Sequence, residues 1–189
     1  MQRSLKATLA VAVLAAASAS AQAANVSFTG NLAGDNDVQL FTFTLGAAAN
    51  VTLRTFSYAG GVNAAGSLIS AGGFDPVIAL FDGSGNGAIL FNGDDDSGPD
   101  LDALLQLTPL LAGTYTVALS QVANFANGPS LGDGFLGFGN PGFGGLSSAW
   151  ALDILGVNTA AVVPEPTTLI LTLLALSAAA SVSRTRLRG

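Results

Sequence analysis

A chain of 189 residues points to one domain. It has no Cys and no His, which rules out disulfides, zinc-thiolate sites and any Ser-His or Cys-His nucleophile pair. Of six basic residues only Arg54 lies between the two ends, against eleven aspartates from Asp35 to Asp153. A middle region near −10 lacks the cations that neutralise phosphates, so nucleic acid is excluded as a partner.

The first element is an export signal over residues 1–23. Arg3 and Lys6 precede a short apolar run from Ala7 to Ala17, and small residues close it at Ala21 and Ala23. Cleavage is expected after Ala23, with Ala21 as the alternative. The run is short for a membrane span, which weighs against an uncleaved anchor.

Residues 24–158 form the passenger domain. Charged residues are only 10% of the chain, Gly numbers 24, and Glu and Lys are nearly absent, which favours strands and turns over helices. Apolar and polar residues alternate at Val26–Leu32, Val38–Leu45, Val51–Tyr58, Thr114–Gln121 and Trp150–Ile154. Val77–Phe81 and Ala88–Asn92 flank Asp82-Gly-Ser-Gly-Asn-Gly87, a hairpin signal, and Leu104–Leu107 is a short strand. The fold class is therefore all-β: a single antiparallel β-sandwich of about eight strands, with a closed barrel as the alternative. A signal helix and a C-terminal transmembrane helix are expected to flank it.

The densest polar stretch runs from Asn92 to Asp102. Hard oxygen ligands on a turning loop suit calcium, so the metal candidates are Asn92, Asp94, Asp96, Asp100 and Asp102, with calcium the expected cofactor. The spacing is not that of an EF-hand: Gly98 falls one residue late, and Ala103 stands where a bidentate Glu belongs. A solvated acidic turn is the competing reading. Asp75 before Pro76 reads as a turn residue.

Several phrases in this region carry a resemblance. Asp35-Asn-Asp37-Val-Gln-Leu-Phe41-Thr-Phe43, Phe74-Asp75-Pro76-Val-Ile-Ala-Leu80-Phe81-Asp82, Gly93-Asp94-Asp95-Asp96 and Ala112-Gly113-Thr114-Tyr115 follow one another in this order. The stretch is similar to the bacterial pre-peptidase C-terminal domain. That resemblance implies a non-catalytic, sometimes calcium-binding β-sandwich module of secreted proteins. No protease domain precedes it here, and the glycine-rich segment 122–145 is extra. That segment carries Phe125, Phe135, Phe138 and Phe143, read either as a loop tucked on the sandwich or as a contact surface for sugars or partner chains.

A linker over 159–166 ends in Pro164-Glu165-Pro166. Residues 167–189 hold an almost wholly apolar run from Thr167 to Ser183, then Arg184, Arg186 and Arg188. The run just reaches across a thin bilayer, and the arginines stop transfer and stay cytoplasmic. Pro164, Glu165, Pro166, the apolar run and the arginine tip together resemble the PEP-CTERM sorting signal of Gram-negative bacteria. The same tail is also called an ice-binding protein C-terminal domain, a label that implies no ice binding. The resemblance implies an exosortase-type membrane protease as partner and membrane anchorage before processing. It then implies residence in the cell envelope or extracellular matrix, with exopolysaccharide and biofilm. The expected function is a non-catalytic structural or adhesive protein, not an enzyme. The alternatives are a carbohydrate-binding module and a secreted hydrolase.

Overall fold

The computed structural model describes residues 23–137 and 142–164. The signal segment before Ala23 and, from the sorting tail, Glu165, Pro166, Arg184, Arg186 and Arg188 lie outside the described residues. The described part is all-β. Its strands are β1 (Ala24–Asn31), β2 (Gln39–Leu45), β3 (Ala49–Thr55), β4 (Gly61–Val62), β5 (Leu68–Ile69) and β6 (Pro76–Asp82). β7 (Ile89–Asp94), β8 (Leu104–Leu110), β9 (Gly113–Gln121), β10 (Ala149–Val157) and β11 (Thr159–Val162) complete them. Among these residues no helix is long and apolar enough to cross a membrane.

Two antiparallel sheets carry the fold, ordered β1-β10-β3-β8 and β11-β2-β9-β6-β7. From β7 onward each successive strand changes sheet, so hydrophobic faces from both sheets meet in one core. Phe41, Phe43 and Leu45 of β2 and Tyr115, Val117 and Leu119 of β9 face Val51 and Leu53 of β3 and Trp150, Leu152 and Ile154 of β10. Period-two alternation produces this: residues i and i+2 share one face of a strand. Phe43 stacks on Tyr115 at 5.3 Å, and Phe41 meets the Trp150 ring edge-on at 5.6 Å.

β6 is buried along nearly its whole length because both its faces are covered. Ile78 and Leu80 enter the main core, while Ala79 and Phe81 belong to a second layer with Ala88 and Ala118. The glycine-rich segment builds that layer. Leu131 and Phe135 pack on it, with Phe135 edge-on to Phe81 at 6.5 Å. Asn124 pins the segment, donating from Nδ2 to the Asn36 carbonyl and accepting from the Gly137 N–H at Oδ1. Further along, Phe143 lies 5.4 Å from Phe74. The phenylalanines at 135 and 143 thus tuck against the domain, whereas Phe125 remains exposed.

Two elements differ from the sequence expectation. The loop after Thr55 contains the β4–β5 hairpin, which lies on the outer face of the first sheet. There Asp153 accepts from Ala64 N–H at 2.8 Å and from Ser27 Oγ at 2.5 Å. Residues 159–162, expected to open a linker, instead form β11 on the edge of β2, with Thr159 opposite Thr44 and Val162 opposite Phe41. The Val163 N–H still donates to the Leu40 carbonyl at 2.9 Å, so the sheet runs up to Pro164.

Candidate functional site

β7 and β8 are edge strands of opposite sheets, and the acidic stretch is the crossover between them. It is closed by its own hydrogen bonds. Asp94 Oδ2 accepts from the N–H groups of Leu104 at 2.7 Å and Ser97 at 3.2 Å. Gly98 N–H donates to the Asp102 carbonyl at 2.7 Å, and Asp102 N–H donates to the Pro99 carbonyl at 3.0 Å. Asp100 sits in the left-handed region at φ 53°, a conformation that Asp tolerates better than most residues.

The five expected metal ligands fall into different settings. Asn92 Oδ1 accepts from Gly93 N–H beside it on β7. Asp96 and Asp100 are exposed on the turn. Asp102 is only 1% exposed and faces the other way. Its Oδ1 accepts from Thr55 Oγ1 at 2.9 Å, Ser57 N–H at 2.6 Å and Tyr58 N–H at 3.2 Å, and its Oδ2 from Ala59 N–H at 2.9 Å. The end of β3 bends around this carboxylate, and Ala103 N–H returns a bond to Thr55 Oγ1. Among the described residues no three acidic side chains are grouped so as to hold a metal ion.

Asp75, which the sequence reads as a turn residue before Pro76, is set apart by its surroundings. It enters β6 beside the crossover, and its Oδ1 is buried without a hydrogen-bond partner. Burial first, then the charges of Asp96, Asp95 and Asp102, push its pKa from 3.8 up to about 6. Desolvation and like charges both disfavour the ionised form.

A groove of about 460 Å³ opens against the same corner. β6 lines it with Val77 to Ala79, β7 with Leu90 to Asp94, and the segment after β9 with Phe125 and Ala126. Asp95 closes one end of the lining. Phe91 is 54% exposed and Phe125 39%. No cation lines it. A second concavity of about 490 Å³ lies where the chain leaves β11, between Leu40, Leu131, Phe135 and Val162 to Pro164. Among the described residues its lining carries no charged side chain.

Comparison with protein-family models finds no match for the chain. Comparison with curated protein sequences finds none either.

Proposed function

We propose that this chain is an exported, non-catalytic component of the cell envelope or extracellular matrix, structural or adhesive within exopolysaccharide. In this reading an exosortase-type membrane protease sorts it by Pro164-Glu165-Pro166, the apolar run and Arg184, Arg186 and Arg188. The observation that carries the reading is the position of β11. The folded sheet ends one residue before Pro164, which leaves the Pro-Glu-Pro motif next in the sequence after the last strand and supports its reading as a signal outside the domain. Support for a non-catalytic role comes from how the buried carboxylates are used. Asp102 and Asp153 are occupied by backbone N–H donors, and Asp35 accepts from Gly142 N–H, all of which are structural tasks. The test is the intact mass of envelope or secreted material from a host with an exosortase. Loss of the residues after the Pro-Glu-Pro motif is the expected result, and retention of Arg184 to Gly189 on all of the material overturns the reading.

A second reading, a carbohydrate-binding module, is favoured by one observation. Leu90 and Phe125, both partly open to solvent, line a single groove with Asp95.

A further inference from the structure

The two main sheets end in the edge strands β1 and β8, and β11 and β7. Three of these edges are blunted. On β7, Leu90 N–H donates to the Pro129 carbonyl at 2.7 Å, and Ile89 bridges Ser130. β8 carries Pro109, which has no N–H to give. β11 is four residues long and stops short of Pro164. Such devices keep an edge from pairing with another chain. β1 has none of them: its eight residues include no charge and no proline.

Hydrogen bonds fix which groups of β1 are free. In an antiparallel sheet successive residues turn their main-chain groups to opposite sides. The Ala151 carbonyl accepts from Phe56 N–H at 3.0 Å, on the β3 side of β10. Trp150, Leu152 and Ile154 therefore turn toward β1, where Gly30, Phe28 and Val26 are their register partners. Leu32 continues the series, donating from its N–H to the Ser148 carbonyl at 3.0 Å. The main-chain groups of Asn25, Ser27, Thr29 and Asn31 thus point outward. Among the described residues no strand meets them.

The side chains along this edge select its partner. Asn25-Val-Ser27-Phe28-Thr29-Gly-Asn31 is close to a palindrome about Phe28. A second copy related by a two-fold axis at Phe28 runs antiparallel to the first. It sets Phe28 opposite Phe28, Ser27 opposite Thr29 and Asn25 opposite Asn31. Outward main-chain groups then meet outward groups, and side chains that face one another lie on the same side of the sheet. Hydroxyl meets hydroxyl and amide meets amide, and both kinds donate as well as accept. On the core face Phe28 packs on Phe41 at 4.9 Å yet stays only half-buried, so its counterpart adds cover. Charge favours the same edge. An acidic domain repels its own copies, but β1 contributes nothing to that repulsion. Asp153, opposite Ser27 on β10, is buried and accepts from Ser27 and Ala64.

We propose that β1 is a self-association edge, through which two copies of this chain join their β1-β10-β3-β8 sheets into one continuous sheet about a two-fold axis at Phe28. The contact is isologous, and main-chain pairing supplies much of its affinity. The inference goes beyond the sorting reading and does not depend on it.

The test uses the purified full chain in a polyoxyethylene detergent, with mass read by light scattering corrected for bound detergent. The parent is a dimer at about 100 μM and dissociates on dilution. Thr29→Pro removes an outward N–H and no bond to β10, so this variant is monomeric and melts close to the parent. The Asn25→Asp, Asn31→Asp double variant keeps the acceptors that Gly156 and Ser148 use. It sets carboxylates against one another across the junction, weakens association by at least about tenfold, and recovers part of it in salt. Gln106→Asp, exposed on β8, leaves association unchanged. The chain has no Cys, so single cysteines test the register. Phe28→Cys couples two copies on oxidation, because opposed Cα atoms lie within disulfide reach, and Gln106→Cys does not. A monomeric parent, or a dimer without the Phe28→Cys cross-link, overturns the proposal. So does association that survives Thr29→Pro, which assigns it to the apolar tail or another surface. Should Thr29→Pro fail to fold, undiminished association of the double variant overturns it instead. The intact mass that decides the sorting reading is untouched by any of these results.

Discussion

The N–H of Ser57 donates to Oδ1 of Asp102 at 2.6 Å, joining the chain just past β3 to the end of the acidic crossover forty-five positions later. Thr55, Tyr58 and Ala59 add three more donors to the same carboxylate. This buried group therefore ties the end of β3 to the start of β8, its neighbour in the same sheet. Replacing it with Ala leaves three backbone N–H groups without an acceptor. Each such loss costs about 1–3 kcal/mol, so Asp102→Ala is expected to lose at least about 3 kcal/mol of stability. Asp100→Asn, on the exposed turn, should stay within about 0.5 kcal/mol. Chemical denaturation of the two variants checks the contrast.

A second prediction concerns Gly30 on β1 and Trp150, its register partner on β10. The indole lies across the glycine. A Cβ at position 30 would collide with Cζ2 of the ring and stand 2.9 Å from Cε2. The ring is also held edge-on by Phe41, so it has nowhere to retreat. Gly30→Val should cost about 1–3 kcal/mol, the usual penalty for overpacking a core. Trp150 is the chain's single tryptophan, so its fluorescence reports the site directly. A red-shifted emission and lower melting temperature are expected, and unchanged emission would mean that the ring does not sit on Gly30.

The central strands β2, β3, β9 and β10 were legible because their apolar residues alternate. Phe41, Phe43 and Leu45, or Tyr115, Val117 and Leu119, announce themselves by alternation alone. Three features were not legible, for separate reasons. The β4–β5 hairpin has two residues per strand, too short for any period, and it is held by Ser27 and Asp153 from distant strands. β11 is a run of Thr, Ala and Val whose partner, β2, lies more than a hundred positions earlier. The acidic run looks like one ligand set in sequence. The crossover separates it, sending Asp102 inward to β3 and leaving Asp96 and Asp100 in solvent. Asp75 carries the opposite lesson: its charged neighbours come from positions 95, 96 and 102, and only the fold brings them near it.

Calcium is proposed to act at this corner as a weak stabiliser, since a divalent ion relieves carboxylate repulsion. No cage is preformed among the described residues, so binding requires the turn to close around the ion. An affinity on the order of 10⁻³ M is therefore expected, and a fivefold excess over that constant adds about 1 kcal/mol. Asp96→Asn should remove the response. If Asp75→Asn removes it too, the ion draws on the buried carboxyl. If the response survives Asp75→Asn, the ion sits on the outer turn between Asp94 and Asp100. A melting temperature that ignores calcium in the parent chain would leave the corner as a solvated acidic turn.

The last prediction follows from the raised pKa of Asp75. Its native value is about 6, against an ordinary value of 3.8 that applies in the unfolded chain. Between those two values the native state binds more protons than the unfolded state. Stability then falls as pH rises through the window from about 4 to about 6, and above it the penalty is constant. This is the reverse of a salt-bridged aspartate, which gains stability as pH rises. Asp75→Asn cannot ionise, so its variant should lack this downward slope. It should melt higher than the parent near neutral pH and converge with it near about pH 4. The groups that face Asp75 supply a second arm. Asp96, then Asp95, are the charged neighbours that raise it after burial itself. Asp96→Asn should therefore shift the window to lower pH without abolishing it. Melting curves taken across the pH range read both effects. A parent chain whose stability climbs steadily from pH 4 to pH 6, with Asp75→Asn following it in parallel, would show that Asp75 ionises normally and that its buried oxygen is hydrated.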